Sequence, residues 1–263
     1  MFISVLLVCA ALGCLAGFLA GLLGIGGGLV IVPALVYLLP SLGFSPDVVM
    51  PVAIATSLAS IVFTSASGTF AHHKNNNIPW ALAKQLMIMI AIGALFGAYI
   101  ADSLSSELLT YIFAVAVTIL ASYMLFSVRI EKSKPLPNHW VIKAIGLGTG
   151  YISSLMGIAG GAILVPVLTY YSLSLRQAIG TATVCGFVVA LFGATGFIIT
   201  GLDQTSLPAW SLGYIYLPAL FGIISTSSLF APFGVKMAEK LPVRYLRRIF
   251  SGFLILVAIK MVL

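Results

Sequence analysis

Two stretches of the chain combine residue types able to bind an anion through the backbone: GLLGIGGGLVIVP (residues 21–33) and LMGIAGGAILVP (residues 155–166). Each is a glycine-rich break inside an apolar run, followed by a shorter apolar run that carries a proline. A glycine turn that opens onto a helix start leaves the first N–H groups unpaired and presents the positive end of the helix dipole. Without a Cβ, the backbone there can approach a negative group closely. On this ground the candidate binding residues are Gly26, Gly27 and Gly28 in the first stretch and Gly160 and Gly161 in the second. The plainer role of small residues in apolar helices is close packing, and Gly13, Gly17 and Gly21 are assigned to it by their four-residue spacing.

Hydroxyls supply the other candidate ligands. Ser57, Ser60, Thr64 and Ser67 recur at spacings that place them on one helix face, with Thr56 beside them. The segment AIATS (53–57) aligns with AIGTA (178–182), which pairs Thr56 with Thr181. Thr56, Ser57, Ser60 and Thr181 are therefore candidates; the competing role is hydrogen bonding to carbonyls of their own helix. Lys84, about one turn into an apolar run, and Arg176, just ahead of AIGTA, are secondary candidates for reaching a negative substrate. The segment HHKNNN (72–77) offers two adjacent histidines, which point apart on a helix and have no third ligand nearby, so a solvated basic cap fits better than a metal site.

What is missing also bears on the chemistry. No Asp or Glu lies deep within an apolar run: Asp47, Asp102, Glu107, Glu131, Asp203 and Glu239 are all in links or at ends. Proton pumps and cation carriers place carboxylates within the membrane, whereas an anion held by N–H groups needs none. There is no GxSxG elbow, no HExxH and no pair of acids, so an enzyme is not expected, and no cofactor is implied. Cys9, Cys14 and Cys185 lie in apolar segments as small buried hydrophobes, without the spacing of a disulfide framework or metal site.

These residues must be positioned by membrane-spanning helices. Of 263 residues, 61% are hydrophobic and 7% charged, and the mean hydropathy is +1.17. A water-exposed surface needs far more charge. Runs at 2–23, 48–71, 79–101, 108–128, 177–200, 209–231 and 244–262 approach the ~20 residues that cross a bilayer as a helix. The opening MFISVLLVCAALGC lacks the basic start of a signal peptide and reads as the first helix. The net charge of +7 is spread over short links, as topology signals are, and does not form a nucleic-acid face.

The landmarks repeat in order. Besides the glycine stretches and AIATS/AIGTA, SASG (65–68) faces GATG (193–196) and IPW (78–80) faces LPAW (207–210). This divides the chain into residues 1–128, a linker 129–139, and residues 140–263. Lys and Arg favour cytoplasmic links. The link between the halves, with Arg129, Lys132, Lys134 and Lys143, and the loop with Lys74 are then inside; DSLSSE (102–107) and GLDQTSL (201–207) are outside; Lys236, Lys240, Arg244, Arg247 and Arg248 are inside. Equivalent loops thus face opposite sides, the plan of inverted-topology repeats. Both termini are expected outside, which leaves Lys260 as the one charge against the rule. The short runs after the glycines (29–39 and 162–171) suggest hairpins that enter from opposite faces with their tips near the midplane, although full spans satisfy the same parity. The expected fold is an all-α polytopic membrane protein of two inverted repeats, each a glycine-broken helical hairpin plus three transmembrane helices.

GLLGIGGGLVIVPAL, AIATS, MGIAGGAILVP and AIGTA together resemble the sulfite exporter TauE/SafE family of bacterial and archaeal inner membranes. The likeness covers nearly the whole chain; alanine at 159, where the first half has Gly26, is a departure. It implies transport of sulfite, organosulfonates or related small organic anions across the plasma membrane, either as export or uptake. The expectation is a secondary transporter working by alternating access, with a small anion as substrate, a coupling ion such as H+, and the lipid bilayer as its surroundings. A passive anion channel is the alternative, since a hydroxyl-lined pore with basic mouths also needs no carboxylate.

Overall fold

The computed structural model describes residues 2–23, 27–126, 135–171, 173–204, 206–240 and 243–262. These form α1 (Phe2–Leu23), α2 (Gly28–Ser41), α3 (Pro46–Lys74), α4 (Trp80–Asp102), α5 (Ser106–Phe126), α6 (His139–Met156), α7 (Gly161–Tyr170) and α8 (Leu175–Gly201). A small hairpin of β1 (Ser211–Leu212) and β2 (Ile215–Tyr216), then α9 (Leu217–Lys240) and α10 (Val243–Val262), complete the described chain. Gly26, with Gly24, lies outside the described residues, as does most of the linker, 129–134.

The solvent these helices are built for is legible on their outer faces. On α4, Ile88, Ile92, Phe96 and Tyr99 are three or four residues apart and all exposed. Such a stripe fits hydrocarbon and would be polar on a helix facing water. Among the described residues, α3, α4, α5 and α8 are long and apolar enough to cross a bilayer. The protein is an all-α multi-pass membrane protein.

Local chemistry sets the ends. Ser45 takes an extended conformation ahead of α3, with Pro46 and Asp47 in the first turn, the arrangement that suits a helix N-terminus. Lys74 in the last turn complements its C-terminal dipole. The Ser174 hydroxyl accepts the Gln177 N–H at 3.3 Å and caps α8. At the end of α6, Gly157 adopts φ +66°, which lets the Ile158 N–H turn back to the Ser153 carbonyl at 3.0 Å.

At 1.5 Å per residue, the 14 residues of α2 reach about 21 Å and the 10 of α7 about 15 Å, short of a hydrocarbon core of roughly 30 Å. The apolar run at 209–231 corrects the sequence reading. Its first residues do not enter a helix: Ser211 pairs with Tyr216 and Leu212 with Ile215 around Gly213 at φ +52°, and α9 begins only at Leu217. Hydropathy could not separate the two outcomes, because a buried tight turn is as apolar as a helix.

α3 and α8 pack against each other in the interior. Around them α1 packs on α9, α4 on α6 and on α8, α3 on α9, and α5 on α10. Advance each helix by five in the chain and these pairs map onto one another: α1–α9 becomes α6–α4, and α4–α8 becomes α9–α3. Small residues make the close contacts. Gly13 and Gly17 of α1 lie against the Ile223 and Ser227 backbone of α9, which supports their packing assignment, and Gly97 of α4 lies against the Tyr151 carbonyl of α6. The Thr226 hydroxyl ties the first pair by donating to the Ala10 carbonyl at 2.7 Å. Lys260 sits 5.1 Å above the Tyr37 ring, a cation–π contact that gives this charge a partner.

Candidate functional site

The two glycine breaks meet. α2 starts at Gly28 and α7 at Gly161, which are the same position in the repeated motif. A Cβ on Gly28 would strike the Gly157 carbonyl and come within 3.0 Å of Ile158 Cα and 3.1 Å of Ser57 Oγ. Across this junction Ser57 Oγ donates to the Gly157 carbonyl at 2.8 Å, both residues being buried. The start of α2 is therefore held against the turn between α6 and α7, with Ser57 of α3 bonded to that turn, and only glycine at 28 allows the approach.

The tips differ in detail. Gly27, ahead of α2, is right-handed (φ −72°), whereas Gly160, ahead of α7, is left-handed (φ +70°). Neither helix start has a side-chain cap. Thr149 and Ser153, one turn apart on α6, surround the second tip: Ser153 Oγ lies 3.1 Å and Thr149 Cγ2 3.2 Å from where a Cβ on Gly160 would be. Ser153 and its neighbour Ser154 are fully buried and their hydroxyls have no hydrogen-bond partner. Sequence reasoning passed over both, although the signal, SSLMGIAGG, was adjacent to the motif; two serines in an apolar helix look like packing residues until their surroundings are known.

The other hydroxyl candidates are hydrogen-bonded within the fold. Ser60 donates to the Ser57 carbonyl at 2.7 Å, and Thr181 to the Gln177 carbonyl at 2.8 Å, the local bonding common in membrane helices. Thr56 reaches across the fold: its hydroxyl accepts the Tyr216 N–H at 3.0 Å and holds β2 against α3. Tyr214 next to it donates to Asp102 Oδ1 at 2.7 Å, and burial together with that carboxylate pushes its phenol well above the usual tyrosine range. On the other side of the repeat alignment, Gly180 lies against the Asn77 carbonyl of the loop after α3. The AIATS and AIGTA segments therefore both seat a loop from the opposite half.

Thr56, Ser57, Ser60, Thr181, Gly27, Gly28, Gly160 and Gly161 are all buried in this interior, but Lys84 and Arg176 are exposed, each near the start of its helix, and are not brought to the tips. His73, in the HHKNNN cap, accepts the Trp80 indole N–H at 3.3 Å. Among the described residues, the buried polar side chains apart from the Tyr214 phenol are serine or threonine, and no group of three or more His, Cys, Asp or Glu is placed to hold a metal. An apolar cleft of about 170 Å³ between α1, α2 and α10, lined by Leu12, Leu29, Pro33, Tyr37, Phe253 and Val257, lies apart from these hydroxyls.

A lipid-compatible exterior around a buried junction of hydroxyls and helix ends is the build of a polytopic membrane transporter. The chain matches the family model "Sulfite exporter TauE/SafE" over residues 9–261 and belongs to that family. It is 42% identical over 261 residues to a probable membrane transporter protein of Haemophilus influenzae, covering 98% of each chain. It is 26% identical over 255 residues to the probable membrane transporter protein MJ0441 of Methanocaldococcus jannaschii, covering 96% of this chain and 94% of that one. A similar 26% identity relates it to YunE of Bacillus subtilis, also a probable membrane transporter protein, over 74% of this chain and 78% of that one. No solved structure matches it.

Proposed function

We propose that the protein is a secondary transporter for a small anion, a sulfite, sulfonate or related organic anion, working by alternating access in the cell inner membrane. The observation that carries this reading is the junction of the two hairpin tips, where Gly28 meets Gly157 under the Ser57 hydroxyl. Two uncapped helix starts converge on a buried interior whose described polar side chains are hydroxyls alone, a setting that favours an anion over a cation. The family name agrees with that substrate class, and the names of its relatives agree with transport.

On this reading residues 1–128 and 140–263 are inverted repeats, and both termini are extracytoplasmic. The helix pairs that interchange on advancing by five support it, as does the exchange of loops at Thr56 and Gly180. Because the tips are in contact, an ion enters only as the hairpins part, which suits a carrier whose halves rock about a fixed site better than an open pore. The test is flux in liposomes reconstituted with the full chain, with sulfite and methanesulfonate as probes and an imposed proton or potential gradient. Accumulation beyond the anion's own gradient is the expected result. Flux that never exceeds that gradient would make the protein a channel, and absence of flux for every anion would overturn the reading.

A further inference from the structure

We infer that the substrate's charged head docks at the start of α7 against Ser153, and that this site takes a singly charged oxyanion in preference to a doubly charged one. The inference rests on the anion reading above and narrows it to a charge class. The start of α7 is uncapped, Gly160 is left-handed, and the Ser153 hydroxyl beside it is fully buried with no partner. A buried hydroxyl without a partner is costly, so a ligand that accepts its proton gains the bond without displacing another. Ser57, Ser60 and Thr181 have already committed their protons to carbonyls, and the Gly157 carbonyl at the junction repels an anion. Thr56 is engaged as the acceptor of the Tyr216 N–H at β2, so an uncapped helix start with an unpartnered buried hydroxyl beside it selects the α7 end. The aligned position in the first half is Ala20, so the site is one-sided.

The charge class follows from what stands around it. A helix start offers about half an elementary charge, and hydroxyls offer dipoles only. Lys74, Lys84, Arg176 and Lys260 are exposed, and Lys143 is half-buried over Trp140. The ionisable side chains of α3, α6 and α8 sit towards the helix ends, apart from Tyr151 and the buried thiol of Cys185. The cost of desolvating an ion grows with the square of its charge, so a dianion pays about four times as much as a monoanion. Fixed half-charges and hydroxyls can offset the smaller cost and fall short of the larger. An acid with two ionisable protons would then be carried in its singly ionised form, the proton travelling on the substrate.

The test compares three tetrahedral sulfur probes of similar shape on the purified full chain by titration calorimetry at one pH: methanesulfonate (one charge), sulfate (two) and dimethyl sulfone (none). Methanesulfonate should bind at least about tenfold more tightly than either of the others. Ser153→Ala, which keeps helix and volume, should weaken methanesulfonate by about fivefold, whereas the exposed control Ser67→Ala should leave it unchanged. Sulfate binding as tightly as methanesulfonate, or an unaltered Ser153→Ala, would overturn the inference while leaving anion transport standing. Failure of both anions to bind would remove the anion site itself, and the proposed function with it.

Discussion

Ser57 and Gly157 stand 100 residues apart in the chain, yet the serine hydroxyl donates to the glycine carbonyl at 2.8 Å in the buried junction between α3 and the turn after α6. Ser57→Ala leaves that carbonyl buried and unpaired, which costs on the order of 1–3 kcal/mol. Thermal unfolding in detergent should show a lowered midpoint, and more so than for Ser60→Ala, whose bond is to a carbonyl of its own helix. Equal midpoints for the two variants would show that the junction bond contributes little.

Gly28 and Gly27 should not tolerate change equally. A Cβ at 28 runs into the Gly157 carbonyl, which is backbone and cannot swing away, whereas a Cβ at 27 meets Ala16 Cβ and Ile31 Cδ1 at 3.2 Å and needs only a small shift. Gly28→Ala should lose transport and fold yield while Gly27→Ala retains most of both. Measured flux per folded protein distinguishes them, and a functional Gly28→Ala would mean that the tips are looser than they stand here.

Thr56→Val keeps the shape of the side chain and removes the acceptor of the Tyr216 N–H. The β1–β2 hairpin should become locally labile, so amide exchange should speed up at residues 211–216 while the rest of α9 stays protected. Unchanged exchange there would show that the hairpin is held by packing alone.

The raised phenol of Tyr214 has a pH signature. A group whose folded pKa lies above its unfolded value contributes stability that is fully present below the unfolded pKa, about 10 for tyrosine, and lost as pH rises toward the folded value. Wild-type stability should therefore fall as pH is raised above about 10, and Tyr214→Phe should flatten that fall. A fall of the same slope in the variant would assign it to other groups.

Lys84→Gln and Arg176→Gln each remove an exposed charge that solvent screens. Anion affinity should change by less than about fivefold in either, measured by the calorimetry used for the probes. Loss of binding in Lys84→Gln would place a lysine, and not the helix start, at the anion.

Much of the architecture was legible in the chain. The lipid-facing character, the two glycine breaks, the shortness of the helices after them and the landmarks AIATS and AIGTA follow from composition and local pattern, because helix length, hydropathy and glycine's freedom are properties of a few consecutive residues. The packing role of Gly13 and Gly17 was legible for the same reason. The start of α9 was not, because the segment 209–216 is apolar whether it winds or turns.

Which hydroxyls are free could be settled only by the tertiary structure. From spacing alone, Thr56, Ser57, Ser60 and Thr181 look alike, and Ser153 looks like none of them. Folding gives Thr56 to Tyr216, Ser57 to Gly157, and Ser60 and Thr181 to their own helices, and leaves Ser153 buried without a partner at the start of α7. A hydrogen bond is a relation between two positions, and where the positions are 100 or 160 residues apart in the chain, no local pattern carries it. The amino-acid sequence by itself determined the membrane, the helices and the place of the breaks; the packing of α2 and α7 against α3 and α8 decided which polar atoms those breaks meet.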